Sequence, residues 1–467
     1  MAHNFKSHKL YLTLFTVLFA GINVDFSVAK ENTQDTITMR DVIALPLTPS
    51  VHDWTFAECV DWASANNVDI RRNLLDILQA EQDALSADDA WLPTVGFSTS
   101  HNYANYPFHD SSRNGNTYSS SYGVNAAWTA WEGNVRKYRQ ANARRVLQRS
   151  HIEGEELERA LKLSILQGYM NILYAREAVE IARQTLEVSE SQAHRAQRLT
   201  ESGRSSRVDY AQIESQKAQD AYNLVQAQNN LESSRLALRN ILQLGLGYDF
   251  DISSVNFPDS DVLAAVPSKE DTYSLAMAWL PSFKSNEITR EILADEVKIA
   301  KAGYLPTISV NGGLGTGYTT GGASWASQMG RSFGPNIGLS LSVPIFDGNA
   351  TKRAVAKAKL SELEYDLNKR TLIDELTQII DGLYIDASNA QAGYKAGLSR
   401  LEAASLTNEL TTRQFELGLV NPLELLTAHN NYINARLEVL QCKYTAILAL
   451  KTIQFYCDGT ITMPEGG

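Results

Sequence analysis

Hydrophobic and polar residues alternate with a period of two in two separate parts of the chain. In the second half, Gly338, Ser340 and Ser342 lie between apolar residues that share the other face, namely Ile337, Leu339, Leu341, Val343 and Ile345. In the first half, Gly123, Asn125 and Ala127 alternate in the same way with Tyr122, Val124, Ala126 and Trp128. This period is typical of β-strands with a different environment on each face. We predict four strands, at about 93–106, 118–131, 306–318 and 334–346.

The predicted strands have the length of tilted strands that cross a bilayer, about ten residues. Four strands cannot close a barrel by themselves. Because open sheet edges are not tolerated in lipid, several chains would share one barrel if these strands lie in a membrane. The alternative from the strands alone is a soluble domain built from two sheets.

Two much longer stretches follow a helical period. Residues 135–200 and 350–415 contain no Pro, and at 1.5 Å per residue each would form a helix of about 99 Å. Apolar and small residues in the first stretch recur at spacings of three and four, as at Ile172, Ala175 and Val179, which indicates a coiled-coil seam. Glycines at 203 and 418 predict tight reversals. We predict long helices at 135–201, 206–243, 350–416 and 422–456.

The two halves of the chain repeat the same landmarks in the same order. Trp91-Leu92-Pro93-Thr94 returns as Tyr304-Leu305-Pro306-Thr307, Trp131-Glu132-Gly133-Asn134 as Phe346-Asp347-Gly348-Asn349, and Glu201-Ser202-Gly203 as Glu416-Leu417-Gly418, at offsets of 213, 215 and 215 residues. An offset this long indicates two copies of one large unit. We predict a first repeat at 54–245, a connector at 246–271, a second repeat at 272–457 and a tail at 458–467. Each repeat opens with one helix, about 56–90 in the first and 273–303 in the second.

The first residues have the pattern of a secretory signal peptide. Lys6 and Lys9 precede an apolar run over residues 10–20, and Ser27 and Ala29 are small residues at the expected cleavage positions. We predict a signal peptide at 1–29, followed by an extended segment at 30–53. The alternative is an N-terminal membrane anchor.

Composition and motifs argue against nucleic-acid binding and catalysis. The 467 residues carry a net charge of −11, whereas nucleic-acid binders normally have a basic surplus. Histidines show no metal-ligand spacing, and no P-loop or nucleophile elbow is present. The glycines at 312–317 do not open a helix, so they fit a Gly-rich strand better than a phosphate loop. We expect no enzyme activity, no cofactor and no metal.

The combination of these features resembles the TolC family of outer-membrane channels over residues 50–457. The resemblance is carried by the duplicated Leu-Pro-Thr, the exits Trp131-Glu132-Gly133 and Phe346-Asp347-Gly348, and the two reversals in which Gly is followed six residues later by Asp or Glu. The opening Trp54-Thr55-Phe56-Ala57-Glu58-Cys59-Val60 is also similar to the first helix of the family.

The resemblance implies a mainly α-helical protein with a transmembrane β-barrel contribution. Three chains would share a twelve-stranded barrel in the outer membrane, and a long coiled-coil barrel of helices would cross the periplasm. The implied partners are a periplasmic adaptor, or membrane fusion protein, and an inner-membrane pump or ABC exporter. The implied function is a passive exit duct for small-molecule efflux or type I protein secretion in a Gram-negative cell. The alternative is a periplasmic coiled-coil adaptor or scaffold, although adaptors lack two pairs of ten-residue amphipathic strands.

The resemblance also implies a constriction near the reversals. Glu424 matches the first acidic position of the family's pore rings, Thr427 stands where a second acid is expected, and Asp209 matches a residue of the closing network. Phe415 and Val420 replace the Tyr and Arg of that network, which puts it in question. Arg204 or Arg207 could substitute for the missing Arg. The alternatives are a solvated capping role for Glu424 and a plain solvated tip for the two arginines.

Two further expectations concern the reversals, through the family resemblance, and the cysteines, through their positions in the chain. The adaptor-docking surface would be formed by residues of both reversals, namely Ser202, Gly203, Arg204, Arg207, Leu417, Gly418 and Leu419. Cys59 and Cys457 would pair as a disulfide if the two chain ends meet midway along the helical barrel; the alternative is three free thiols, including Cys442.

Overall fold

A computed structural model describes residues 53–107, 115–245 and 248–464. The predicted signal peptide at 1–29 and the extended segment up to residue 52 lie outside the described residues. The first half of the chain forms α1 (Phe56–Asn66), α2 (Val68–Asp89), β1 (Thr94–Asn105), β2 (Asn116–Trp131), α3 (Val135–Glu201) and α4 (Arg207–Ile241).

The second half repeats this order of elements after a short connector. Its elements are α5 (Asp259–Val262) in the connector, then α6 (Lys269–Trp279), α7 (Pro281–Ala302), β3 (Thr307–Thr319), α8 (Trp325–Arg331), β4 (Gly334–Ser342), α9 (Ala350–Leu417) and α10 (Pro422–Asp458). Each half therefore consists of two opening helices, a pair of strands and a long helical hairpin. No described helix is both long enough and apolar enough to span a bilayer.

The opening helix of each half is divided in two, where a single helix was expected. Asn67 separates α1 from α2, because its side chain accepts hydrogen bonds from the N–H groups of Asp69 and Ile70 and so begins a new helix. Pro281 occupies the first turn of α7, where its missing N–H is tolerated. Local capping chemistry thus interrupts a continuous helical pattern.

The last strand is shorter than expected. β4 ends at Ser342, four residues before the predicted end at 346. Pro344, just beyond this end, has no N–H to donate to a neighbouring strand. The segment between β3 and β4 contains helix α8. The Gly-rich segment at 312–317 lies within β3, as a strand.

The four strands form one antiparallel sheet in the order β1-β2-β3-β4. The register pairs apolar residues with apolar residues across strands, as with Phe97 and Val124, Val124 and Leu314, and Val310 and Leu339. The opposite face carries small or polar residues, including Ser98, Gly123, Gly315, Gly338 and Ser340. The register of β2 against β3 shifts between Thr129 and Trp131. Because the pairing otherwise keeps the alternation from strand to strand, the sheet has one apolar face and one face of small and polar residues.

The largest apolar core joins both halves of the chain midway along the long helices. It contains α1, α3, the connector and residues of α9 and α10, with Tyr169 and Ile252 fully buried. Trp54 forms an isolated parallel bridge with Ile252, and the Tyr169 hydroxyl donates to the Ser253 carbonyl at 3.1 Å. The connector is therefore a structural part of the helical body.

Candidate functional site: the two helix reversals

The two long hairpins reverse at glycines in the left-handed conformation. Gly203 has φ +71° and Gly418 has φ +76°, a region in which any other residue except Asn or Asp is strained. At the second reversal the N–H groups of Gly418 and Leu419 donate to the carbonyls of Phe415 and Gln414, at 3.0 and 2.9 Å. These bonds satisfy carbonyls at the end of α9, as a helix C-terminus requires.

Asp209 forms a capping box with Ser206, the residue that begins α4 after the first reversal. Its carboxylate accepts hydrogen bonds from the Ser206 N–H at 3.1 Å and the Ser205 hydroxyl at 3.2 Å, while its own N–H donates to the Ser206 hydroxyl at 3.0 Å. These bonds, above all that from the Ser206 N–H, hold the pKa of the Asp209 carboxyl below its ordinary value. In the described part of the chain Asp209 forms no ion pair with the second reversal.

Glu424 has the matching position after the second reversal. Its N–H donates to the Asn421 side-chain oxygen at 3.0 Å, and the Asn421 amide donates to the Glu424 carboxylate at 2.8 Å. Thr427 lies three residues further along α10, and its hydroxyl donates to the Leu423 carbonyl at 2.7 Å. Both Glu424 and Thr427 are exposed. Residues three apart share a helix face, so the two side chains project from one exposed face of α10.

Phe415 and Val420 pack in an apolar cluster. Phe415 and Leu425 from the second reversal are buried with residues of the first hairpin, namely Ala193, Ala196 and Ile213, and Val420 packs against the same cluster. The Arg195 guanidinium also donates to the Glu416 carbonyl at 3.0 Å. The two reversals are thus joined by apolar packing at the positions where the family resemblance implied a polar network.

The remaining predicted residues are exposed at the ends of the hairpins. Leu417 and Leu419 are 73% and 71% exposed, and Ser202, Gly203, Arg204, Arg207 and Gly418 are exposed beside them. No ion pair of Arg204 or Arg207 occurs within the described ranges. Val208 and Leu423, which were not among the predicted residues, are 65% and 66% exposed at the same ends. The sequence signal for both is an apolar residue in the first turn of a helix, with no apolar partner for that residue.

The expected disulfide is absent. Cys59, Cys442 and Cys457 are all free thiols. Cys59 is fully buried in the large core, where burial, with a smaller contribution from Glu58, raises its pKa to about 12. Cys457 packs in a different cluster, with its Sγ 3.3 Å from the Thr272 hydroxyl. The two cysteines belong to separate packing units, so the alternative of free thiols is the observed one.

The described residues form no metal-binding cluster. Among the side chains that the structure describes, no three or more of His, Cys, Asp and Glu converge on one point.

Comparison with known proteins gives a family match over both halves of the chain. The profile of the family described as outer membrane efflux protein matches residues 60–243 and 272–457. The alkaline protease secretion protein AprF of Pseudomonas aeruginosa is 25% identical over 328 residues, which are 68% of this chain and 65% of that protein. The outer membrane protein TolC of Vibrio cholerae is 22% identical over 332 residues, 70% of this chain and 72% of that protein.

Solved structures show the same fold. A structure of CusC superposes with a TM-score of 0.74 at 18% identity and covers 85% of this chain and 91% of that one. The CmeC outer membrane channel of Campylobacter jejuni gives a TM-score of 0.72 at 19% identity and covers 86% of both chains. The chain spans less than two thirds of the first curated relatives it matches, with 65% of AprF and 59% of BepC of Brucella suis.

Proposed function

Since this chain belongs to the outer membrane efflux protein family, we propose that it forms an outer-membrane channel that acts as the passive exit duct of a tripartite export system. Three chains assemble, and their four-stranded sheets close into one twelve-stranded barrel. The long hairpins form a tube that crosses the periplasm. Energy comes from an inner-membrane pump or ABC exporter, joined to the duct by a periplasmic adaptor.

The two-faced sheet carries this proposal. The strands contain no Asp, Glu, Lys or Arg, and exposed apolar residues cover one face, with Ile337 at 85% and Leu339 at 75%. An apolar outer face suits contact with lipid, and the small polar face suits a water-filled lumen. Within the described residues the outer edges of β1 and β4 are unpaired, so closure in lipid needs neighbouring chains.

The surface of α9 supports assembly with neighbouring chains. Leu360, Leu363 and Leu367 recur at helical spacing on one face and are 65%, 61% and 62% exposed. A stripe of this kind on a long helix is typical of a protein–protein contact. In the proposed trimer the stripe packs against the next chain and continues the coiled-coil wall of the tube.

The reversals supply the constriction and the docking surface. Three Glu424 carboxylates, one from each chain, form a negative ring that favours cations in a narrow pore. The exposed Leu417 and Leu419 beside Gly418 form an apolar surface for the adaptor. Asp209 contributes to the constriction by fixing the start of α4. The two repeats at 54–245 and 272–457 are the duplicated units from which the tube is built.

Relatives of this fold serve different export tasks, as their names show. AprF is named for alkaline protease secretion, and CzcC of Cupriavidus metallidurans, 23% identical, for cobalt-zinc-cadmium resistance. We place this chain with such ducts, for small-molecule efflux or type I protein secretion.

The full chain expressed in a Gram-negative host tests the proposal. We expect it in the outer-membrane fraction, as a species that migrates as a trimer before heating and as a monomer after heating. Purified trimers should conduct ions across planar lipid bilayers. Recovery as a soluble monomer, or the absence of conductance, would contradict the proposed function.

A further inference from the structure

A buried polar cluster lies close to the reversals, where α3, α4 and α10 meet. Ser189, Asp220 and His429 are 1%, 1% and 2% exposed. The Ser189 hydroxyl donates to Asp220 Oδ2, and the Gln216 amide donates to Asp220 Oδ1 at 2.9 Å. Because the chain itself buries these groups, they need no neighbouring chain to cover them.

His429 is the unsatisfied member of the cluster. Both of its ring nitrogens are buried without a hydrogen-bond partner. Its Nε2 lies 3.7 Å from Asp220 Oδ2, which is too long for a hydrogen bond but within the range of an ion pair. Native proteins rarely leave buried polar atoms unpaired, and each instance calls for a physical reason.

The helices around His429 carry amide and hydroxyl side chains at the same height along the helix axes as His429. The Gln184–Arg436 and Glu177–Tyr444 hydrogen bonds set the antiparallel register of α3 and α10, and this register places Gln192 at the level of His429. On α9, the close approach of Gly393 to Cys442 and of Gly397 to Val439 sets a register that places Asn408 there. Neither Gln192 Nε2 nor Asn408 Oδ1 has a hydrogen-bond partner.

Other ionisable groups near this level are exposed, ion-paired or hydrogen-bonded elsewhere. Glu187, Glu190 and His194 on α3 are exposed, and so is Glu424 on α10. Three ion pairs lie near this level, namely Arg195–Glu416, Glu214–Lys217 and Glu409–Arg413. The half-buried Arg436, two turns further along α10, donates instead to the Gln184 side-chain oxygen at 2.9 Å. In the described part of the chain, Asp220 is therefore the acidic group within ion-pair distance of His429.

We propose that His429 and Asp220 form a protonation-dependent clamp that holds the start of α10 against the first hairpin. This inference rests on the proposed channel function. His429 follows Glu424 by five residues, about 7.5 Å along the helix, so the clamp also fixes the position of the constriction residue. The Ser189 and Gln216 hydrogen bonds hold the Asp220 carboxylate in place as the charge partner.

The clamp engages when the imidazole is protonated. A histidinium beside a buried carboxylate gains an ion pair, and a neutral imidazole at 3.7 Å gains none. Histidine is the side chain that changes charge between about pH 5 and pH 8. As the pH rises, the proton leaves, the pair is lost and α10 separates from α4 more readily. The channel therefore opens more often at neutral pH than at acidic pH.

Single-channel recordings of the purified trimer in planar bilayers test the clamp. The open fraction of the wild type should fall at least about fivefold between about pH 7.5 and about pH 5.5. His429→Gln and Asp220→Asn should lose this response. The matched control is His194→Gln, an exposed histidine on α3, which should keep it. A wild-type response that persists in His429→Gln would overturn the clamp, as would the absence of a response in the wild type.

Two further measurements distinguish the clamp from titration of Glu424 and from a failure of the trimer to assemble. Protonation of Glu424 changes ion selectivity, so the pH response of the open fraction should persist in Glu424→Gln; its loss there would contradict the clamp.

Trimer migration before heating shows whether each variant assembles. If His429→Gln does not assemble, Asp220→Asn provides the same test, since an amide can still bond to Ser189 and Gln216. Wild-type trimers without any conductance would instead overturn the proposed function, and the clamp with it.

Discussion

At the residue scale, capping side chains fix the charges at the reversals. Ser206 and Asn421 each begin a helix, and each orients an acidic residue three positions later, Asp209 or Glu424. The hydrogen bonds to the capping residue hold the acidic side chain at the start of the helix. The helix dipole also favours a negative charge there. Each reversal therefore presents one oriented carboxylate near its end.

Glu424→Gln should reduce the cation selectivity of the channel. A glutamine can still accept the hydrogen bond from Asn421, so α10 should begin at the same place while the charge of the ring is lost. Reversal potentials in a salt gradient measure the selectivity, and the wild-type preference should weaken at high salt because of screening. The control is Glu201→Gln, which removes an acid at the exposed end of α3. Unchanged selectivity in Glu424→Gln would exclude the ring.

Cys59 should resist alkylation in the folded protein. Burial raises its pKa to about 12 from the ordinary 9.0. At neutral pH the reagent therefore cannot reach the sulfur, and the sulfur is not in the reactive thiolate form. Cys442 and Cys457 are only half-buried and should react first. Mass spectrometry after maleimide treatment, before and after denaturation, measures the order. Early labelling of Cys59 would show that the core around it opens.

The same thiol makes stability depend on pH in alkaline solution. The unfolded state releases the Cys59 proton near pH 9.0, whereas the folded state retains it up to a pKa of about 12. The unfolded state therefore binds fewer protons in this window, and the free energy of unfolding decreases as the pH rises through it.

At the scale of elements, close packing between helices depends on glycines inside them. A Cβ at Gly154 of α3 would lie 2.5 Å from the Asn73 side-chain oxygen on α2. Asn73 is buried and donates to the Ser150 carbonyl at 3.1 Å. The contact therefore joins the opening helix of the first half to its long hairpin, with little room for a larger side chain.

Gly154→Ala should destabilise the protein by about 1–3 kcal/mol, because Asn73 must move and lose its hydrogen bond. Gly382→Ala is the matched control. Gly382 also lies inside a long helix, α9, but a Cβ there meets no atom within 4 Å, and alanine favours helix by about 0.5–1 kcal/mol. Thermal unfolding of the two variants should shift in opposite directions; equal shifts would contradict the packing argument.

At the scale of the whole molecule, the two faces of the sheet should respond differently to a charge. Leu339→Lys places a charge on the apolar face of β4, and the cost in lipid is about 2–4 kcal/mol at mid-membrane. Ser340→Lys changes the next residue, on the small polar face. We expect Leu339→Lys to lose outer-membrane insertion and heat-modifiable trimers, and Ser340→Lys to keep them. Equal behaviour would contradict the proposed orientation of the sheet.

The sequence by itself determined the elements that follow from local periodicity. The alternation around Leu339 and the Pro-free run after Val135 are properties of neighbouring residues, so they identify strands and long helices directly. The glycines at 203 and 418 mark the reversals for the same reason, since their left-handed conformation depends on local geometry. Asn67 was missed as a cap because its effect competes with a continuous helical pattern.

Only the tertiary structure decided which distant residues meet. β2 pairs with β3 across the two halves, which brings Val124 beside Leu314. Cys59 and Cys457 are packed in separate clusters, and His429 is buried beside Asp220, more than 200 residues earlier in the chain. A periodic pattern specifies which face of an element is buried, but the partner of that face depends on how the long helices align with one another. That alignment is set by packing along the whole length of the hairpins, a property that no local stretch of sequence contains.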